Sequence, residues 1–203
     1  ELNKKDINHA LSIETTTSGY WRVGVHIADV AYFIKADSPL DKEARKRGIS
    51  IYLRNQVVPI LPDGLSSDYF SLLPEKDRLA ISILITVNKN GQIVEFEIEP
   101  SVIQVNAHLS YKETRKIING NTHELVNLNL EQLENAINKL QNVSKALRNA
   151  RLRRGAFDLN LPDEKSYYND ESPLGAMINP EIFPARSMVA ELIILANQGI
   201  ASH

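Results

Sequence analysis

Cysteine is absent from all 203 residues, which excludes disulfides and thiolate metal sites. No apolar run is long enough to span a bilayer, and the N-terminus lacks the charged-then-apolar layout of a signal peptide. A chain without a membrane partner, in the cytoplasm or an organelle, is the expectation. Charge of one sign is also scarce: the formal net charge is −2. That argues against a protein that coats nucleic acid non-specifically, while leaving room for a local basic channel beside an acidic site. What the chain does have is core material. With 43% hydrophobic and 24% charged residues, one globular domain with a sizeable core is expected. The opening at Glu1 without Met, and the stop at His203 within a helical pattern, read as marks of a fragment of something longer.

Strand and helix patterns interleave. Ala10 to Glu14 forms a first strand, followed by a Thr-Thr-Thr-Ser-Gly turn. Trp21, Val23, Val25 and Ile27 then alternate with Arg22, Gly24 and His26, as in a strand with one buried face. Ser38 caps a helix with Pro39 in its first turn, and Gly48 stops it. Ile49 to Leu53 and Val57 to Leu61 are short extended pieces. Leu79 to Val87 and Ile93 to Ile98 make a hairpin about Asn88-Lys89-Asn90-Gly91, and Ile103 to Leu109 continues the alternation as a third antiparallel strand. Ser110 and Glu113 form a capping box for a helix ending near Gly120. Leu133, Ile137, Leu140, Ser144 and Leu147 mark one stripe of a long helix between Asn129 and Gly155, with a basic end at Arg148, Arg151, Arg153 and Arg154. A strand-like Ala156 to Leu161 precedes a polar loop, and a last helix starts near Pro184. The sum is a mixed α+β domain, a largely antiparallel sheet flanked by helices.

Several side chains carry chemistry. Asp6, Asn8 and His9 lie on a short polar turn before a buried strand, where oxygen and imidazole groups converging suit a divalent cation. The same residues also suit an ordinary polar turn. Asp29, just past a strand, reads as a turn cap rather than a ligand. Tyr52 and Tyr111 follow extended segments and serve either strand packing or stacking. Arg186 and Glu191 share the last helix. The arginines ending the long helix suit its dipole, with phosphate contact as the alternative.

Asp6-Ile7-Asn8-His9-Ala10-Leu11-Ser12 resembles the D-[ILM]-D-D-A-[LI]-S/H signature of the ribonuclease II/R family. Further blocks follow in the family's order: Gly24 to Val30, Leu40 to Gly48, Val57 to Pro62, Leu65-Ser66, Ser71-Leu72, Asp77 to Ala80, Gly91-x-Ile93, Leu109 to Tyr111, Arg154 to Phe157 and Val189 to Asn197. Ordered blocks along nearly the whole chain make the resemblance specific. It implies the N-terminal and central part of an RNB-type catalytic domain over 1–203, incomplete at both ends. It further implies a narrow channel for single-stranded RNA, Mg²⁺ held by acids at its floor, and 3′→5′ release of 5′-mononucleotides. By the same resemblance Tyr52, Tyr111, Arg186 and Glu191 approach the RNA, and Asp6, Asn8 and His9 occupy catalytic and metal-ligating positions.

At those positions the chain departs from the family. Asn8 and His9 stand where two aspartates are expected, and Ala190 replaces the first acid of the last helix. Asn8 keeps an oxygen without charge, and His9 offers a nitrogen that suits Mg²⁺ poorly. Weak Mg²⁺ binding and weak or absent hydrolysis are expected. Two functions stay open: a Mg²⁺-dependent exoribonuclease, and an inactive pseudonuclease that binds single-stranded RNA.

Overall fold

The computed structural model describes residues 7–52, 57–62, 64–121, 130–157 and 183–202. Four strands form one sheet in the order β1-β2-β5-β6: β1 His9–Thr15, β2 Trp21–Ala28, β5 Asp77–Val87 and β6 Ile93–Gln104. Neighbours along it run antiparallel. β3 Ile51–Tyr52 and β4 Val57–Val58 make a separate two-stranded ribbon in which Tyr52 lies opposite Val57. The helices are α1 Val30–Phe33, α2 Pro39–Arg47, α3 Tyr111–Ile118, α4 Leu130–Arg153 and α5 Phe183–Ser202, with a π-helical turn at Leu65–Tyr69. Among the described residues, no helix is long and apolar enough to cross a membrane.

The chain divides into two compact units. The first comprises Glu1–Ala10, His26–Ser82 and Glu99–His108; the second comprises Leu11–Val25, Ile83–Ile98 and Leu109–His203. In the second unit, Val23 and Val25 of β2 and Ile83, Ile85 and Val87 of β5 pack with three helices. α3 contributes Ile117, α4 a stripe of Ile137, Leu140, Val143 and Leu147, and α5 Met188, Leu192 and Leu195. Each fully buried side chain of this size contributes roughly 1.5–3 kcal/mol, so this cluster is the main source of the unit's stability. The spacing on α4 follows the helical period, which is why one stripe is covered. In the first unit Phe70, Leu72, Ala28 and Ala80 are buried.

The helix ends follow local chemistry. Ser38 Oγ accepts from Asp41 N–H, and Gly48 ends α2 with φ 75°. Ser110 and Glu113 form the reciprocal capping box at α3. Two expectations need correction. The third strand over Ile103 to Leu109 does not exist separately: Ile103 and Gln104 finish β6, and Val105 makes only an isolated bridge to Pro74. Pro100 lies within β6, an edge strand, where proline is tolerated because alternate N–H groups face away from the ladder. The expected strand at Ala156 to Leu161 is irregular at Ala156 and Phe157, and its remainder lies outside the described residues.

The β5–β6 turn is pressed onto α4. Gly91 has φ 78°, and a Cβ placed there would lie 2.6 Å from the Ala146 carbonyl oxygen. Gly19 has a similar φ of 75° with open space around it. Gly91→Ala is therefore expected to cost about 3 kcal/mol, of which roughly 1–2 comes from the left-handed backbone and the rest from the clash. Gly19→Ala should cost only the backbone part. Urea denaturation of both variants measures the difference, and equal losses would contradict the close approach.

Candidate functional site

The N-terminal turn is tied down by its backbone within the first unit. The Ile7 N–H donates to Ser71 Oγ at 3.0 Å, and the Ile7 carbonyl accepts from the Leu72 N–H at 2.7 Å. The Asn8 carbonyl accepts from the Ala28 N–H at 3.0 Å. Ser71 is fully buried, so this anchoring hydroxyl is shielded from water. The turn thus has fixed backbone partners on two other segments. Sequence reading missed Ser71, whose only signal was its place in the block Ser71-Leu72.

On this frame the Asn8 and His9 side chains turn to each other. His9 Nδ1 donates to Asn8 Oδ1 at 2.9 Å, and both residues are exposed. Partial desolvation holds the His9 imidazole below its ordinary pKa, which favours the neutral ring. Two neutral groups bonded to each other supply no anionic oxygen. Hard divalent cations need such oxygens to offset the loss of hydration. Among the described residues, no three His, Asp or Glu side chains stand together to hold a metal. Asn8 and His9 as they stand do not fit a Mg²⁺ site. Asp6 lies outside the described residues.

Beside this turn in the same unit, His26 begins a polar chain that composition did not reveal. Ser101 Oγ donates to the Ala80 carbonyl at 3.1 Å and so accepts from Ser82 Oγ at 2.6 Å. Ser82 therefore accepts from His26 Nδ1 at 2.6 Å, which places the His26 proton on Nδ1. Burial pushes the His26 pKa down. Asp29 caps α1 by accepting from the Tyr32 N–H at 3.0 Å, as its position after a strand led one to expect. The Tyr52 backbone ends β3 in this unit.

The remaining candidates belong to the second unit. Tyr111 opens α3 directly after its Ser110 cap and is half-buried. Arg186 is half-buried in α5. Glu191 of α5 is only 5% exposed, and its carboxylate accepts from Arg151 of α4 at 2.6 Å and 3.1 Å. Arg148 stands 3.9 Å from the same carboxylate. Arg151 is forty residues away in sequence, so nothing in the chain order announces the pair. Both Glu191 oxygens are thereby engaged with a fork-shaped donor.

Two measurements follow. Arg151→Met leaves Glu191 buried without its partner and is expected to cost about 3–5 kcal/mol in chemical denaturation. Arg151→Met combined with Glu191→Leu should recover most of that loss; no recovery would mean that Arg151 acts through packing alone. For His26, the folded pKa is lowered below the unfolded value of 6.5. The unfolded chain then binds the proton first, so the His26 contribution is complete above pH 6.5 and is lost as pH falls toward the folded value. An NMR titration of His26 with a midpoint at or above 6.5 would contradict this.

With this geometry described, comparison identifies relatives. The chain is 36% identical over 193 residues to the acetazolamide conferring resistance protein zam of Synechocystis, covering 95% of the chain and 24% of that protein. It is 35% identical over 199 residues to ribonuclease R of Vibrio parahaemolyticus, covering 98% of the chain and 24% of that protein. The fold is similar to RNase R of Mycoplasma genitalium in complex with ribose methylated single-stranded RNA, with TM-score 0.81 and 27% identity over 97% of this chain and 30% of that one. The chain thus spans about a quarter of the length of these curated relatives. Since the RNB domain matches residues 1–203 throughout, the chain belongs to the RNB domain family.

Proposed function

We propose that this chain is the part of an RNB protein that grips the 3′ end of single-stranded RNA, with hydrolysis weak or lost. One observation carries the reading: Asn8 and His9 meet as a neutral, mutually bonded pair where the family resemblance calls for two acids. Phosphodiester hydrolysis with Mg²⁺ requires dense negative charge to seat the ion. Gripping RNA does not. Stacking on aromatic rings holds a single strand without reading its sequence, and Tyr52 and Tyr111 are the side chains we assign to it. Arg186 is assigned to a backbone phosphate. Any approach of Glu191 to RNA must take place with its carboxylate already neutralised by Arg151. The protein is assigned to the cytoplasm or an organelle.

A second reading, an active 3′→5′ exoribonuclease releasing 5′-mononucleotides, is favoured by the 35% identity to a ribonuclease R and by Asp6, which keeps one family acid. A single substitution set separates the two. The intact protein is expected to retain labelled oligo(A) while releasing little mononucleotide with Mg²⁺. Asn8→Asp with His9→Asp should raise release by at least about tenfold, the lower end of what even outer contacts of a metal site are worth. Rapid release by the unaltered protein, unchanged in the double variant, would establish the second reading instead.

A further inference from the structure

The arginines closing α4 have separate fates, and the helix dipole accounts for only part of them. Arg151 is spent on Glu191, Arg148 stands 3.9 Å from that carboxylate and 3.3 Å from Ser187 Oγ, and Arg153 donates to the Asn90 carbonyl at 3.2 Å. Arg154 lies just past the helix end and is exposed, and among the described residues its side chain makes no hydrogen bond or ion pair. It lines a groove of about 220 Å³ formed wholly within the second unit by the β5–β6 turn, α4 and α5.

The lining has a definite chemical character. Ile93 and Ile194 are apolar and exposed to the groove, while Gln92 and Gln198 bring primary amides. Gln92 is oriented by Asn88, whose Nδ2 donates to its Oε1 at 3.0 Å, so the Gln92 NH₂ is left to donate. Glu191 forms part of the wall, but Arg151 matches its charge, so an incoming anion meets a surplus of positive charge. The groove lies below the roughly 300 Å³ at which drug-sized pockets begin, which limits its occupant to something small. Arg151 lines the groove too, paired with Glu191; one cation beyond that pair, an apolar wall and two amides describe a flat heterocycle carrying one phosphate.

We propose that this groove binds a nucleoside monophosphate, with the phosphate on Arg154 and the base against Ile93 and Ile194, its edge facing the amides of Gln92 and Gln198. The proposal uses no group of the N-terminal turn and holds whether or not RNA is cut.

Calorimetric titration of the intact protein with AMP, adenosine and inorganic phosphate tests it, with Arg154→Gln and Gln198→Ala as variants and Arg45→Gln in the other unit as a charge control. Binding of AMP is expected at least about tenfold tighter than adenosine or phosphate, because each supplies half of the contacts. Arg154→Gln should weaken AMP binding about tenfold or more, Gln198→Ala by less, and Arg45→Gln not at all. Photolabelling with an azido-substituted AMP should mark the segments around Gln92 and Gln198, and Arg154→Gln should abolish the label. Absence of AMP binding, or AMP binding unaffected by Arg154→Gln, overturns the proposal. Inorganic phosphate binding as tightly as AMP overturns the base contact and with it the nucleotide assignment.

Discussion

The second unit is organised around a charge that cannot be left alone. Glu191 sits at 5% exposure on a helix whose neighbours are Leu192, Leu195 and Met188, and an isolated carboxylate there would cost several kcal/mol. Arg151 resolves this with a two-pronged contact from α4, and Arg148 adds positive potential nearby. The fork has one good geometry, so the two helices are fixed in register as well as held together. Apolar packing of α4 and α5 supplies the larger energy, but it tolerates sliding. The ion pair does not. The same lock determines what the α4 terminus offers outward, since it commits Nε and one Nη of Arg151 to Glu191, while Arg154 lies beyond the last turn.

The N-terminal turn solves the opposite problem. Its backbone is as firmly placed as a catalytic turn needs to be, through Ser71, Leu72 and Ala28. Its described side chains, however, have relinquished charge. A pair of carboxylates at this spacing would repel each other and stay apart unless a cation lay between them. An amide and a neutral imidazole attract instead, and at 2.9 Å they satisfy each other without any ion. In the proposed reading, an Asn8–His9 pair in place of two acids does more than subtract charge: it provides a stable arrangement that competes with opening toward a metal. The backbone placement of the turn and the charge of its side chains are separable: Ser71, Leu72 and Ala28 fix the first, and the Asn8–His9 hydrogen bond involves no carboxylate.

How much of this was legible in the sequence depends on the range of the interaction responsible. Patterns set within a few residues were readable: the alternation of Trp21 to Ile27, the Ser110–Glu113 box, the Gly48 stop and the Asn88–Gly91 turn all describe elements that formed. Elements whose reason lies elsewhere were not. The passage of β6 through Pro100 depends on the strand being at the sheet edge, a property of topology that local propensity cannot encode. α1 is a single turn held by the Asp29 cap, too short to leave a helical period, and the π-helical turn at Leu65–Tyr69 has no periodic signature at all. At the candidate site, the identity of Asn8 and His9 was plain, but their mutual hydrogen bond and the anchoring by Ser71 are spatial facts. So is the pairing of Glu191, whose motif invited an outward role until its partner on α4 was located.

Taken together, the arginines of α4 show why a charge run has to be read one residue at a time. All four arginines suit a helix C-terminus equally well, and a dipole argument treats them alike. Burial separates them. The residue that faces the interior must find a carboxylate, the one that faces the hairpin finds the Asn90 carbonyl, and the one beyond the last turn finds no partner among the described residues. A guanidinium in water incurs no penalty for lacking a partner, so stability does not require Arg154 to be charged. Its position over a groove with an apolar wall and the oriented amide of Gln92 is then better explained by what the groove can receive than by what the fold needs.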